Sequence, residues 1–182
     1  MKAPTVRKSL GLMGALAAIS ASLAAACGPA ATPAAPAAAR EPGRLEAKVT
    51  VEMGDFVFAT GQGVKGGPFR VPSGKLVGIR MVNKDEVEHE ILFGRDVESK
   101  DGLPVGYKVS LFEKVPADVF VYPSGKKVEV GTEGELEEIE LEPGAEVWIR
   151  ANFPAEMKGE WEIGCLLPGH YERGMKAKLI IE

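Results

Sequence analysis

The chain has 182 residues, with 22 basic against 26 acidic side chains and a formal net charge of −4 at pH 7. This acidic balance argues against nucleic acid as a partner, because binding a duplex requires clustered Lys and Arg. With 2 Cys and 2 His, the chain is not a scaffold held by several disulfides, and it cannot form a site that needs many His ligands.

Residues 1–26 have the pattern of an export signal. A positively charged start is followed by the apolar and small residues of 10–26, which lead directly to Cys27. This run resembles a bacterial lipoprotein signal, which implies that Cys27 becomes a lipidated first residue, although Ala24 stands where that pattern prefers Leu. Plain secretion after cleavage behind Ala26 and an uncleaved anchor helix remain open. All three readings place the protein outside the cytoplasm, in the periplasm or on the outer face of the cell membrane, or as a secreted soluble protein.

Residues 27–44 form a low-complexity spacer rich in Ala and Pro. The spacer lacks the varied apolar side chains that a core needs, and its prolines favour extended conformations. We interpret it as a tether between the lipidated Cys27 and one folded domain over residues 45–182.

From Leu45 onward, apolar and polar residues alternate with a period of two, which is typical of strands that bury one face. One such segment places Val87 and His89 on the same face. The only candidate for a short helix is Val105–Phe120. Short strands separated by Gly/Pro turns predict an all-β sandwich or barrel. The predicted strand segments are 45–53, 75–82, 87–93, 136–142, 147–151, 160–165 and 175–181.

The residues best suited to chemistry lie on the loop between the last two predicted strands. Cys165, His170 and Met175 are spaced five residues apart there, and Cys165 and Met175 face the core side by strand parity. His89 faces inward from another strand. Two imidazoles, a thiolate and a thioether are the ligands of a trigonal blue-copper site with a weak axial Met. Zinc is disfavoured because a thioether is a poor ligand for it.

The run Gly-Cys-Leu-Leu-Pro-Gly-His at 164–170, followed by Met175, resembles the copper loop of the cupredoxins. This type 1 blue copper family includes plastocyanin, azurin, auracyanin and rusticyanin. The upstream run 83–89 is similar to the turn that carries the family's first His ligand. The resemblance extends over residues 45–182 and implies a Greek-key β-sandwich that carries electrons rather than catalysing a reaction. It implies one copper bound by these residues: His89, Cys165, His170 and, axially, Met175.

The resemblance has two departures. Glu90 follows the first His ligand, where the family often has Asn, Ser or Asp tying the two ligand loops together. The stretch between the first His ligand and the Cys ligand is also long, which predicts an insertion over Gly94–Glu135.

The expected function is an exported electron-transfer protein that shuttles single electrons between redox proteins, such as a cytochrome or a membrane electron-transfer complex. The lipid anchor would bring it to the membrane, and no small-molecule substrate is expected. The alternative is a carrier that delivers copper to another protein. A multicopper oxidase or a copper nitrite reductase needs more His than the chain has, and a copper-A centre needs a second Cys in the loop.

Two surface features bear on partners. Leu166–Gly169 is predicted to form an apolar contact patch around His170, or simply to cap the sandwich. The acidic run within 133–146 is either a solvated strand face or a surface that attracts a basic partner.

Overall fold

The computed structural model describes residues 41–182, and it folds them into two β-sheets with one short 3-10 helix at Ala155–Met157. The five-stranded sheet has the order β2-β1-β4-β10-β7, and the second, seven-stranded sheet has the order β3-β12-β11-β5-β9-β8 with β6 also paired to β5. The strands of the first sheet are β1 (Ala47–Gly54), β2 (Val57–Thr60), β4 (Leu76–Asn83), β7 (Ala117–Val121) and β10 (Glu146–Asn152). Those of the second sheet are β3 (Phe69–Val71), β5 (His89–Lys100), β6 (Leu103–Ser110), β8 (Val128–Thr132), β9 (Leu136–Leu141), β11 (Gly159–Gly164) and β12 (Lys176–Ile181).

The predicted all-β sandwich is confirmed, and each of the predicted strand segments overlaps a strand, with ends that differ by one or more residues. The core forms as the alternation requires, because every second side chain of a strand points between the sheets. In β12, for example, Ala177, Leu179 and Ile181 are buried, whereas Lys176 and Lys178 are exposed.

β5 links the two halves of the second sheet. Residues His89–Leu92 pair with β9, and Leu92–Gly94 pair with β11. From Gly94 onward β5 pairs instead with β6, forming a hairpin. One strand therefore carries the first predicted copper ligand at its beginning and the start of the predicted insertion at its end.

The predicted insertion over Gly94–Glu135 consists of the rest of β5 followed by β6, β7 and β8. The helix predicted at Val105–Phe120 is therefore wrong: this stretch contains most of β6, a turn and most of β7. Valines and Tyr107 give β6 strand propensity, and Pro116 cannot donate the hydrogen bond that a helix interior needs.

The predicted shared face of Val87 and His89 is also wrong. Val87 is 42% exposed, whereas His89 is fully buried. The reason is that β5 begins at His89, so Val87 lies in the preceding turn and does not take part in the strand's alternation.

The residues just before β1 contact the first sheet. Pro42 is buried, and the carbonyl of Gly43 accepts a hydrogen bond from Arg150 Nη1 at 3.2 Å. Within residues 41–182, no helix has the length and apolar character needed to cross a membrane. The predicted signal and the lipidation site at Cys27 lie outside the described residues.

Candidate metal centre

Three of the predicted ligands meet at one end of the sandwich. The Nδ1 atoms of His89 and His170 are 3.2 Å apart, and Cys165 Sγ lies 3.2 Å from His170 Nδ1. The ligand atoms of all three lie within 4.8 Å of one another. His89 and Cys165 are fully buried, and His170 is half-buried. The cluster therefore lies at the edge of the core, with one imidazole toward the surface.

Met175 is held at the same end by the backbone of the ligand loop. Its carbonyl accepts the N–H of Cys165 at 3.1 Å, and its N–H donates to the carbonyl of His170 at 3.1 Å. The side chain is fully buried. These bonds close the loop between β11 and β12, so that the thioether residue lies next to both other loop ligands in the fold.

A buried amide organises the turn that presents His89. Asn83 Nδ2 donates to the carbonyls of Val87 and Leu141, at 2.8 Å each, and its Oδ1 accepts the N–H of Asp85 at 2.9 Å. Because Asn83 is fully buried, these bonds meet no competition from water. They fix the turn that places Asp85 beside the imidazole.

Asp85 orients His89. Its Oδ2 lies 3.0 Å from His89 Nε2, and this contact holds the pKa of the carboxyl below its usual 3.8. An ionised carboxylate can only accept a hydrogen bond, so the imidazole proton lies on Nε2 and the Nδ1 lone pair faces His170 and Cys165. A carboxylate on the second ring nitrogen is the usual support of a metal-binding His. No motif in the sequence marks Asp85 for this role, although it lies four residues before His89.

The thiol of Cys165 is in a site that disfavours its ionised form. Burial raises its pKa from 9.0 to about 11, opposed by the N–H of Glu90, which points at Sγ from 3.4 Å. A thiol with such a pKa is protonated at neutral pH, whereas binding to a metal ion deprotonates it. The thiolate predicted here therefore depends on a bound metal.

Glu90 connects the two ligand segments. Its Oε2 accepts the N–H of Leu166 at 3.0 Å, while its own N–H faces Cys165 Sγ. Burial, together with a hydrogen bond to Glu138, raises the pKa of Glu90 from 4.5 to about 8. The longer side chain thus makes the link expected of Asn, Ser or Asp at this position.

Part of the predicted acidic run lies beside Glu90. Carboxylate oxygens of Glu90, Glu138 and Glu140 lie within 4.8 Å of one another. Glu137 is exposed, as on a solvated strand face, but Glu138 and Glu140 are half-buried. Burial and neighbouring carboxylates raise the pKa of Glu140.

Phe56 covers the imidazoles from the turn between β1 and β2. Its ring stands edge-on to His170, with the centroids 4.9 Å apart, and to His89 at 5.9 Å. The guanidinium of Arg173 lies over the Phe56 ring, 4.4 Å from the ring centre. Asp55 and Phe56 both have positive φ, at 51° and 57°, which is unusual for Phe and gives no sequence signal.

The surroundings favour neutral His170. Burial, then the neighbouring His89, lowers its pKa below 6.5. A neutral imidazole is the form that binds a metal ion.

A groove of about 300 Å³ runs beside the ligand loop. One wall is Leu166, Leu167 and Pro168, and the other includes Leu103 and Val105 of the β5–β6 hairpin. Leu103 is 51% exposed and Val105 is 54% exposed. Glu90, Glu138 and Glu172 also line this groove, so its surface is mixed, and the apolar patch around His170 stays a prediction.

The donor set fits a single type 1 copper site. Two imidazole nitrogens and a thiolate supply the strong ligands, and the buried thioether residue supplies the soft, weak one. The carboxylate of Asp85 contacts His89 through Nε2, so Nδ1 is the ring nitrogen that faces the other two ligands. Copper binds this mixture of ligands in both of its oxidation states, whereas a thioether is a poor ligand for zinc.

Comparison with solved structures finds proteins of similar fold. Auracyanin B is 18% identical, with a TM-score of 0.45, over 78% of this chain and 93% of its own. A reduced rusticyanin is 16% identical, with a TM-score of 0.45, over 74% and 78%. A multicopper oxidase from Campylobacter jejuni is 12% identical, with a TM-score of 0.49, over 78% of this chain but 31% of its own. No protein-family model and no curated protein matches the chain.

Proposed function

We propose that this protein is a cupredoxin that carries single electrons through one type 1 copper site. The observation that carries the proposal is the convergence of His89 Nδ1, Cys165 Sγ and His170 Nδ1 within 4.8 Å, next to the buried Met175. Copper bound there would supply a one-electron couple between its two oxidation states.

Each residue has a separate task in this proposal. Cys165 would provide the soft thiolate, His89 and His170 the imidazoles, and Met175 the weak thioether sulfur. Asp85 fixes the tautomer and orientation of His89, and Glu90 keeps the two ligand segments in register. Such outer contacts preserve the ligand positions, so little rearrangement accompanies the transfer of an electron.

We place the electron port at His170. It is the half-buried ligand, and the groove beside it presents Leu103, Val105 and Leu167. The chain is acidic overall, so the matching partner is a redox protein whose apolar contact surface is surrounded by Lys or Arg. A c-type cytochrome or a membrane electron-transfer complex has the required chemistry.

The test is the visible spectrum of the protein loaded with Cu(II). We expect an intense thiolate-to-copper band that is lost in Cys165→Ser. Cys27→Ser is the matched control, because it removes the chain's other Cys and should leave the band unchanged. Weak bands only, or a band that survives in Cys165→Ser, would contradict the proposed site.

A second measurement separates electron transfer from copper delivery. The Cu(I) protein is mixed with an apo copper-binding protein, and both the metal and the rate of reversible oxidation are followed. Retained copper with rapid oxidation and reduction supports the electron carrier. Ready loss of Cu(I) to the acceptor contradicts it and favours a carrier that delivers copper.

We also propose that the protein is exported and lipid-anchored at Cys27, from the signal-like residues 1–26. Fractionation of cells that express the full chain tests this. Wild type should sediment with membranes, and Cys27→Ala should not. Equal membrane association of both forms would contradict lipidation at this residue.

A further inference from the structure

The β5–β6 hairpin reaches across the outer surface of the second sheet. The Tyr107 side chain, from β6, lies over Gly94 of β5 and Gly164 of β11. A Cβ on either glycine would collide with Tyr107, on its Cβ and ring at Gly94 and on its hydroxyl at Gly164. Because Gly94 and Gly164 have no side chains, the ring of Tyr107 can lie against Gly164, the residue before Cys165.

The hydroxyl of Tyr107 bonds to the carboxylate of Glu162, which also accepts a hydrogen bond from the ligand loop. Tyr107 donates to Glu162 Oε1 at 2.9 Å, and Tyr171 donates to the same oxygen at 2.7 Å. Tyr171 directly follows His170 in the chain. The ammonium of Lys176 lies 4.5 Å from the centre of the Tyr171 ring and adds a contact at the start of β12.

These contacts are placed where they can hold one end of the ligand loop. The Cys165 end is bound to β5 through Glu90, as described above. The His170 end has a turn in which the N–H of Gly174 donates to the carbonyl of Tyr171 at 2.9 Å. The bond from Tyr171 to Glu162 anchors the side chain of this turn to β11, and the contact of Lys176 with the Tyr171 ring links it to β12.

We propose that Tyr107 is a positioning residue for His170. Acting through Glu162 and Tyr171, it lets the β5–β6 hairpin brace the ligand loop from outside the sandwich. The inference rests on the proposed copper function, because it assigns the insertion the task of holding a ligand in place. Removal of groups bonded directly to a metal ligand changes affinity by about 10- to 100-fold, so a residue that acts through Glu162 and Tyr171 is expected to have at most the smaller of these effects.

The test variant is Tyr107→Phe, which keeps the ring over the two glycines and removes only the hydroxyl. Tyr122→Phe is the matched control, since Tyr122 is the only Tyr outside this network. The first readout is amide hydrogen exchange at Gly174 and Met175 in the copper-free protein. We expect Tyr107→Phe to speed exchange there by at least about threefold, with Tyr122→Phe at the wild-type rate.

The second readout is the copper site itself. Tyr107→Phe should change the Cu(II) electron paramagnetic resonance signal and weaken copper binding by about tenfold. Because Tyr107 and Tyr171 act through one carboxylate, Tyr171→Phe should have a similar effect, and the double variant should be no worse than either alone. Exchange rates and signals equal to those of Tyr122→Phe, or fully additive effects, would overturn the proposal.

The two hypotheses fail in different ways. The hydrogen exchange in copper-free protein tests the brace whether or not the metal site is of type 1. A wild-type protein without a thiolate-to-copper band contradicts the copper function, and unchanged exchange in Tyr107→Phe contradicts the brace. A lower melting temperature in Tyr107→Phe with unchanged exchange and signal also counts against it.

Discussion

Replacing Asp85 by Asn isolates the contribution of one carboxylate to copper binding. Asp85 Oδ2 contacts Nε2 of the fully buried His89 at 3.0 Å, and the Asp85 side chain is itself 19% exposed. Asp85 uses both of its oxygens, Oδ2 for the imidazole and Oδ1 for the N–H of Glu86 at 2.8 Å. Asn has one amide oxygen, so the variant removes the charge and can keep only one of these two accepted hydrogen bonds.

The expected effect follows from the strength of that bond. Hydrogen bonds to charged groups contribute about 1.5–3 kcal/mol, against about 0.5–1.5 kcal/mol for neutral pairs. The midpoints of the two ranges differ by about 1.25 kcal/mol, close to the 1.4 kcal/mol that corresponds to a tenfold change in an equilibrium constant. We expect the Kd for Cu(II) to rise by about tenfold. Without the carboxylate, Nδ1 becomes less basic, and the imidazole proton is no longer held on Nε2, so it can occupy the nitrogen that binds the metal.

The assay is a competition titration of Cu(II) against a chelator of known affinity. Asp101→Asn is the matched control: it makes the same change of charge on the β5–β6 turn, where φ is 53°, a conformation that Asn tolerates. Copper binding in Asp85→Asn within about twofold of that in Asp101→Asn would refute the reasoning, because the predicted tenfold change corresponds to about 1.4 kcal/mol. A lowered melting temperature alone does not support it.

Three further predictions concern the surface, the buried acid and the core. Leu167→Lys should slow electron exchange with a basic c-type cytochrome while leaving the visible spectrum intact, and an unchanged rate would reject the contact patch. The pKa of Glu90 is raised from 4.5 to about 8, so the copper-free protein should lose stability as pH rises through that window. Between pH 5 and pH 8.5, the melting temperature should fall less in Glu90→Gln than in the control Glu137→Gln. Equal falls in the two variants would contradict this prediction. Phe153→Ala should cost about 3–5 kcal/mol in denaturant unfolding because Phe153 is fully buried, with Val121→Ala, at an exposed site, costing far less.

The strands that could be predicted are those with one buried face and one wet face. β9 and β12 alternate clearly, because each packs one face on the core, and the period alone identifies them. β6 and β7 contain few buried residues, so their sequences lack that contrast. β6 follows β5 directly across the two-residue turn Asp101-Gly102, whereas β7 pairs with β10, a partner distant in sequence that a local pattern does not contain.

The candidate site divides in the same way. Cys165, His170 and Met175 are close in sequence, and their spacing on one loop made them recognisable. Phe56 reaches His170 only because the β1–β2 turn adopts two unusual backbone conformations. The contact of Glu90 with Leu166 depends on side-chain length and on the pairing of β5 with β11, and the sequence supplied only the first of these.

The length of β5 explains why the insertion lies where it does. Its beginning carries His89 and Glu90, which hold the Cys165 end of the ligand loop. Its end continues past the core and pairs with β6, which brings Tyr107 back over Gly94 toward the His170 end. A shorter β5 would leave the first set of contacts intact and remove the second. In this proposal β5 therefore supports the ligand loop at both ends, through Glu90 at the Cys165 end and through Tyr107 of the paired β6 toward the His170 end. Hydrogen exchange in Tyr107→Phe measures the second of these supports.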